Sequence, residues 1–258
     1  MDDIEARFRT AERFTEALRQ AQFVLFCQPI VPAALRGVDH RHVEIFVRFR
    51  EEEDKLLPPG TFFPVLEANH LTPLLDRWVV GEVLKWAGDR RSLQPNWHIP
   101  RFHVNLADDT IRDPGFAGYV RDKLKAQQFP QGRLAFELTE KQMAGLSGAA
   151  RQLIVMLKVL GCPFAVADFS GPESVAASYR EAGAELVKFE GSLVRNIHRQ
   201  PAALSKLQAL NAHCHQVGLH TIAEFVEEAE TLEALRRIGV DFVQGFGIAP
   251  PKPLHEVA

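Results

Sequence analysis

Hydrophobic and polar positions along the chain alternate between two periods. Apolar runs of strand length recur at 22–30 (QFVLFCQPI), 42–49 (HVEIFVRF), 101–107 (RFHVNLA) and 132–138 (GRLAFEL). They continue at 162–169 (CPFAVADF), 184–190 (AELVKFE), 219–225 (LHTIAEF) and 241–246 (DFVQGF). Between most of them lie stretches of helical spacing, such as TPLLDRWVVGEVLKWAG (72–88) and AARQLIVMLKVLG (149–161). The second reaches Gly161, the residue type that commonly ends a helix. Eight strand-like runs alternating with helices in 258 residues predict an α/β fold, a TIM-like (β/α)8 barrel. An open doubly wound sheet competes, but no GxGxxG follows the first run. The segment QPNWHIP (94–100) reads as an irregular connection and marks no domain boundary.

Residues 2–20 read as a helix ahead of the barrel, with Ile4, Phe8, Ala11, Phe14 and Leu18 on one stripe. The stripe could dock on this chain's own core or pair with another chain; short amphipathic helices usually do the former. The expected organisation is a linker helix over 1–20 and a barrel domain over 21–258. With 46% apolar and 24% charged residues, the chain can bury a large core. A net charge of −3 gives no support for a broad nucleic-acid surface, yet leaves room for a small phosphate-bearing ligand held by a few cations. Three scattered cysteines, Cys27, Cys162 and Cys214, do not make a disulfide framework and fit a reducing cytoplasm. No apolar run reaches membrane-spanning length, and the charged start MDDIEARFRT lacks the apolar stretch of a signal peptide. A cytoplasmic location is expected.

The informative residues are polar ones inside or just after the strand-like runs. They are Glu44, Asn105, Glu137 with Glu140, Asp168, Lys188 with Glu190, Glu224, Glu227 and Gln244. A barrel collects the ends of several strands at one face, and carboxylates with an amide oxygen there suit a hard cation such as Mg²⁺ or Mn²⁺. A single acidic residue ending a strand is ordinarily a helix cap or a solvated turn; it is the order and company of these residues that point to a site. HCH (213–215) occupies adjacent helix positions facing different ways, so a surface or packing role is expected. REEEDK (50–55) reads as a solvated loop, and Trp78 and Trp86 as core or interface residues.

In this order the chain resembles the EAL-domain family, which binds or hydrolyses the bacterial second messenger cyclic di-GMP. The resemblance runs from about 14 to 253. It rests on CQPI (27–30), EIFVRF (44–49), VNLA (104–107), FELTE (136–140), VKFEGSLV (187–194), AEFVE (223–227) and QGF (244–246). It implies a modified (β/α)8 barrel. Active members cut one phosphodiester bond with two divalent metals, giving linear pGpG. By motif, Glu44, Asn105 and Glu137 would be metal ligands, Lys188 would position water or a phosphate, and Glu224 would be the general base. Gln28 and Arg48 would contact the nucleotide, Arg48 through a phosphate, with Asp168, Glu227 and Gln244 also on the ligand.

The same resemblance exposes departures. Where the family has DDFGTG, this chain has ADFSGP, so Ala167 replaces the Asp that bridges the metals and Asp168 matches its neighbour. A methyl group cannot coordinate a cation, and a two-metal centre depends on shared ligands. Ser170, Gly171 and Pro172 replace the Gly-Thr-Gly of a loop that couples dimerisation to metal binding in active relatives. Glu190 stands for an Asp, and EIF for EAL. The resemblance therefore implies a degenerate member, first of all a metal-independent cyclic di-GMP receptor. A protein-interaction module without nucleotide, or a residual Mg²⁺- or Mn²⁺-dependent phosphodiesterase, stands as the alternative. Upstream signalling domains, a protein partner and a homodimer stay open.

Overall fold

The structure, a computed structural model, describes residue 8 and residues 10–34, 42–51, 55–145 and 148–256. Each of the eight apolar runs coincides with or overlaps a strand: β1 (Phe23–Pro32), β2 (His42–Arg50), β4 (Arg101–Asn105), β5 (Leu134–Thr139), β6 (Phe164–Phe169), β7 (Ala184–Phe189), β8 (His220–Ala223) and β9 (Phe242–Val243). The pattern missed two short strands, β3 (Leu56–Leu57) and β10 (Lys252–Pro253). The ladder runs β1-β2-β4-β5-β6-β7-β8-β9 and closes where β9 meets β1.

From β2 to β9 the barrel strands are parallel, but β1 is antiparallel to both neighbours, with Gln28 opposite Glu44 and Val31 opposite Val243. The link from Pro32 to His42 explains this, because it is too short for the dozen-residue crossover that parallel pairing needs. Helices α1 (Ala11–Arg19), α2 (Pro59–Ala68), α3 (Thr72–Leu93), α4 (Asp108–Ile111), α5 (Phe116–Ala126), α6 (Glu140–Ala144) and α7 (Gly148–Val159) precede β6. The rest are α8 (Ser174–Ala182), α9 (Gly191–Val194), α10 (Pro201–Gln216) and α11 (Ala229–Arg237). Gly161 takes φ +74°, the left-handed conformation that suits glycine after a helix.

Of the segment 2–20 that the sequence pattern predicts as a helix, the described helical part is α1 (Ala11–Arg19), and residues 2–7 and 9 lie outside the described residues. Helix α1 begins at Ala11, where the Thr10 side chain accepts the Arg13 amide at 3.3 Å. Ile4 lies outside the described residues, and Phe8 precedes the helix. Three described members of the stripe dock on this chain's own core, while Ala11 is exposed: Phe8 and Phe14 are fully buried, packing on Phe49 (5.1 Å between centroids) and Phe23 (5.4 Å), and Leu18 is partly buried. Of the charged loop at 50–55, residues 52–54 lie outside the described residues, while Lys55 pairs with Glu51 at 3.2 Å.

Inside the barrel, Ile30, Ala165, Leu186, Ile222 and Phe242 form an apolar plug toward the N-terminal ends of the parallel strands. Side chains on a strand return to the same face every second residue. Two positions nearer the other mouth, those strands therefore present Gln28, Ala167, Lys188, Glu224 and Gln244. The plug thus sets a floor beneath a polar layer, and Ala167 is the apolar member of that layer.

Candidate functional site

Lys188 is the hub of the polar layer. Its side chain is 1% exposed, and Nζ lies 2.6 Å from Glu44 Oε2, 2.9 Å from Glu137 Oε2 and 2.8 Å from Glu224 Oε1. Gln244 donates to Glu44 Oε2 at 2.8 Å and to Gln28 Oε1 at 3.0 Å, and Asn105 donates to Glu44 Oε1 at 2.9 Å. Gln28 is anchored in turn through Nε2 to the Ala249 carbonyl at 2.9 Å. Glu44 of β2, Glu137 of β5 and Glu224 just past β8 thus meet at one ammonium from β7.

The electrostatics follow from burial. Burial alone would lower the Lys188 pKa, but Glu137, Glu224 and Glu44 reverse the effect and hold it well above its usual value. Glu224 goes the other way. Burial raises its carboxyl to about 7, opposed by Lys188 and reinforced by Glu44 and Glu137. With one ammonium among three carboxylates, the last of them gains by holding a proton near neutrality.

Beneath this layer, His103 Nε2 meets His42 Nδ1 at 2.9 Å, and His103 Nδ1 lies 3.0 Å from Glu137 Oε1, poorly aligned for a hydrogen bond. Burial, then Lys188 and Arg101, push the His103 pKa down to about 3, so its ring is neutral. These histidines escaped the sequence reading. The available signal was spacing, since His42 and His103 sit two positions before Glu44 and Asn105, on the same strand faces.

Around the C-terminal mouth, Arg48 is half-buried, with its guanidinium over Phe26 and Phe46 at 5.7 and 5.8 Å and Nη1 donating to the Val47 carbonyl at 2.9 Å. The structure does not bring Asp168 or Glu227 into the cluster. Both are exposed: alternation turns Asp168 away from the interior position of Ala167, and its φ of +55° bends the strand end. In the loop that follows, the Ser170 amide and hydroxyl both donate to Glu140 Oε2 at 3.1 Å, and the Tyr179 hydroxyl donates to Glu140 Oε1 at 3.3 Å. Glu190 remains at the mouth, its amide donating to the Phe169 carbonyl at 3.0 Å.

Two exposed aromatics also escaped the sequence reading, Phe225 (42%) and Phe246 (65%). Arg195 lies 4.4 Å over the Phe225 ring. Gly245 lets the two loops that carry them touch, because a Cβ there would collide with the Val226 backbone. Beside the cluster opens a cavity of about 460 Å³, walled by Phe46, Pro59 and Phe63 and edged by Asn105, Asp108 and Gln142. Its size and mixed lining suit a flat heterocycle. HCH behaves as packing: Cys214 is buried and His215 Nε2 bonds Asp241 Oδ2 at 2.8 Å.

Glu44, Glu137 and Asn105 could hold one hard cation if Lys188 withdrew, and Ala167, the inward position of β6, offers no oxygen to it. Among the described residues, no group of three or more His, Cys, Asp or Glu is arranged to hold a metal ion. No helix among the described residues is long and apolar enough to cross a membrane.

Comparison with known proteins agrees with this architecture. The chain is 30% identical over 255 residues to cyclic di-GMP phosphodiesterase PdeF of Escherichia coli K12, across 98% of this chain and 33% of that protein. Cyclic di-GMP phosphodiesterase PdeB of Shewanella oneidensis MR-1 is 26% identical, across 95% of this chain and 28% of its own length. This chain therefore spans about a third of these curated relatives. Among solved structures, the FimX EAL domain of Pseudomonas aeruginosa bound to c-di-GMP superposes with a TM-score of 0.84 at 26% identity, over 93% of this chain and 94% of that one. The Xanthomonas citri FimX EAL domain in complex with c-diGMP shares the fold at 22% identity, with a TM-score of 0.87 over 100% and 98% of the two chains. The EAL domain model matches residues 11–251, and the chain belongs to the EAL domain family.

Proposed function

We propose that this chain is a cyclic di-GMP receptor domain that binds the dinucleotide without hydrolysing it. The observation that carries the reading is the polar layer itself. Lys188 gathers Glu44, Glu137 and Glu224 within 2.9 Å, and the position that would bridge two metals is Ala167. Lys188 offsets one carboxylate charge from within and Glu224 holds a proton near neutrality, which lessens the need for a divalent ion before an anion can approach.

The ligand's two phosphates need cationic partners. Arg48 offers a guanidinium held over Phe26 and Phe46. The cavity bounded by Phe46, Pro59 and Phe63 takes one guanine. Phe225 and Phe246 offer stacking surfaces for the other, and the exposed carboxylates of Asp168 and Glu227 match the paired N–H donors of a guanine edge. Gln28 and Gln244 hold the floor in place through Glu44. Membership in a family whose FimX relative has been solved bound to c-di-GMP supports the ligand assignment.

The test is a binding titration with the product analysed by mass spectrometry. Micromolar or tighter binding of cyclic di-GMP, weakened by Arg48→Ala and yielding no pGpG, is expected. Similarity to proteins named cyclic di-GMP phosphodiesterases favours a second reading, residual turnover with Mg²⁺ or Mn²⁺. Formation of pGpG that disappears in Glu224→Ala would establish that reading instead. The receptor would serve as one part of a larger signalling protein, since the relatives are about three times as long.

A further inference from the structure

We propose that the N-terminal mouth of the barrel, on the far side of the plug from the polar layer, is a second ligand site, built for a small organic anion bearing a carboxylate or phosphoryl group. A cavity of about 430 Å³ opens there, with Leu186, Val240 and Phe242 among its walls. Each of the two carboxylates lining this mouth has one oxygen engaged, and Asp241 Oδ1 stands 3.5 Å from His220 Nδ1. Asp241 Oδ2 accepts the Thr221 amide and the His215 ring, both at 2.8 Å, and Glu185 Oε2 takes Arg101 Nη1 at 2.9 Å.

The cationic groups are not all used. Arg101 otherwise bonds only through Nε, to the Gly132 carbonyl at 2.8 Å. Arg236 bonds through Nε to the Ala33 carbonyl at 2.6 Å, and its Nη1 stands 3.7 Å from Glu233. The Nη2 group of each therefore has no protein partner among the described residues, although both arginines line the cavity. Each guanidinium is held in place through its Nε contact, so an anion would meet donors already fixed. The inner wall is equally fixed, because His42 bonds His103 at 2.9 Å and stacks on Phe242 at 5.0 Å. The space exceeds a bare inorganic anion, and the apolar walls call for a ligand with an apolar or aromatic body.

The experiment is an NMR titration of the full chain at pH 7 and constant ionic strength, with sodium benzoate, inorganic phosphate and the neutral control benzyl alcohol. No nucleotide is used, so the outcome stands apart from the receptor reading. Saturable shifts at Leu186 and Phe242 are expected with benzoate, at least tenfold weaker with benzyl alcohol. Arg236→Gln should weaken benzoate at least tenfold while leaving the spectrum of the opposite mouth unchanged, and Arg236→Lys should retain part of the affinity. Saturation by phosphate but not benzoate would keep the site and assign it to phosphoryl groups. Absence of saturation, equal binding of benzyl alcohol, or an unchanged response in Arg236→Gln overturns the proposal.

Discussion

Glu224→Gln should stabilise the protein at pH 8 and do almost nothing at pH 4.5. In the folded chain the Glu224 carboxyl titrates at about 7, against an ordinary value of 4.5, because it is buried beside Glu44 and Glu137. Between those two values the folded state holds a proton that the unfolded state has released, so stability falls as pH rises through the window. Each pH unit of displacement is worth about 1.4 kcal/mol, which puts the loss at about 3 kcal/mol once Glu224 is fully ionised. Glutamine keeps an oxygen for the 2.8 Å contact with Lys188 and carries no charge. Urea unfolding of both proteins across pH 4.5–8 should therefore show a stability difference near zero at the acid end, growing to about 3 kcal/mol above pH 7. A difference that is constant with pH, or largest at pH 4.5, would refute the electrostatic reasoning.

Three further outcomes follow from the same geometry. Lys188→Met leaves three buried carboxylates without their ammonium, and should cost about 3–5 kcal/mol in urea unfolding at pH 8, less at pH 5 where Glu224 is protonated. Protonated Glu224 also presents one less negative charge to a phosphate, so cyclic di-GMP should bind more tightly at pH 6 than at pH 8, and Glu224→Gln should flatten that dependence in calorimetry. Ala167→Asp should strengthen Mn²⁺ binding in a titration yet leave pGpG formation poor, because Ser170, Gly171 and Pro172 still stand in the following loop; full turnover from that one change would show that the loop does not matter.

The barrel was legible because its strands are buried on both faces and read as near-continuous apolar runs, which is how all eight stood out. Hidden in the same pattern was the direction of β1, which depends on the short Pro32 to His42 link and not on its own residues. The residues of the polar layer were legible one by one as polar breaks in apolar strands. Their joint attachment to Lys188 was not, because it depends on barrel closure, which brings β2, β5 and the end of β8 within reach of one side chain from β7. Asp168 illustrates the opposite limit. Its motif neighbours predicted a ligand contact but not its position: the two-residue period of β6 turns Ala167 inward and leaves Asp168 outside the Lys188 cluster, at the exposed rim. His42 and His103 passed unnoticed because single histidines in apolar strands ordinarily need no explanation; only their shared face with Glu44 and Asn105 sets them apart.

A paired calorimetric titration with cyclic di-GMP, once in EDTA and once in Mn²⁺, with each mixture then analysed for pGpG, bears most directly on the receptor reading. Metal-independent binding at a low-micromolar or tighter Kd, equal within about threefold in the two buffers and without pGpG, is the expected result, since an ion-independent site should move by less than the 1.4 kcal/mol of one decade. Binding that appears only with Mn²⁺, or any accumulation of pGpG, would contradict it.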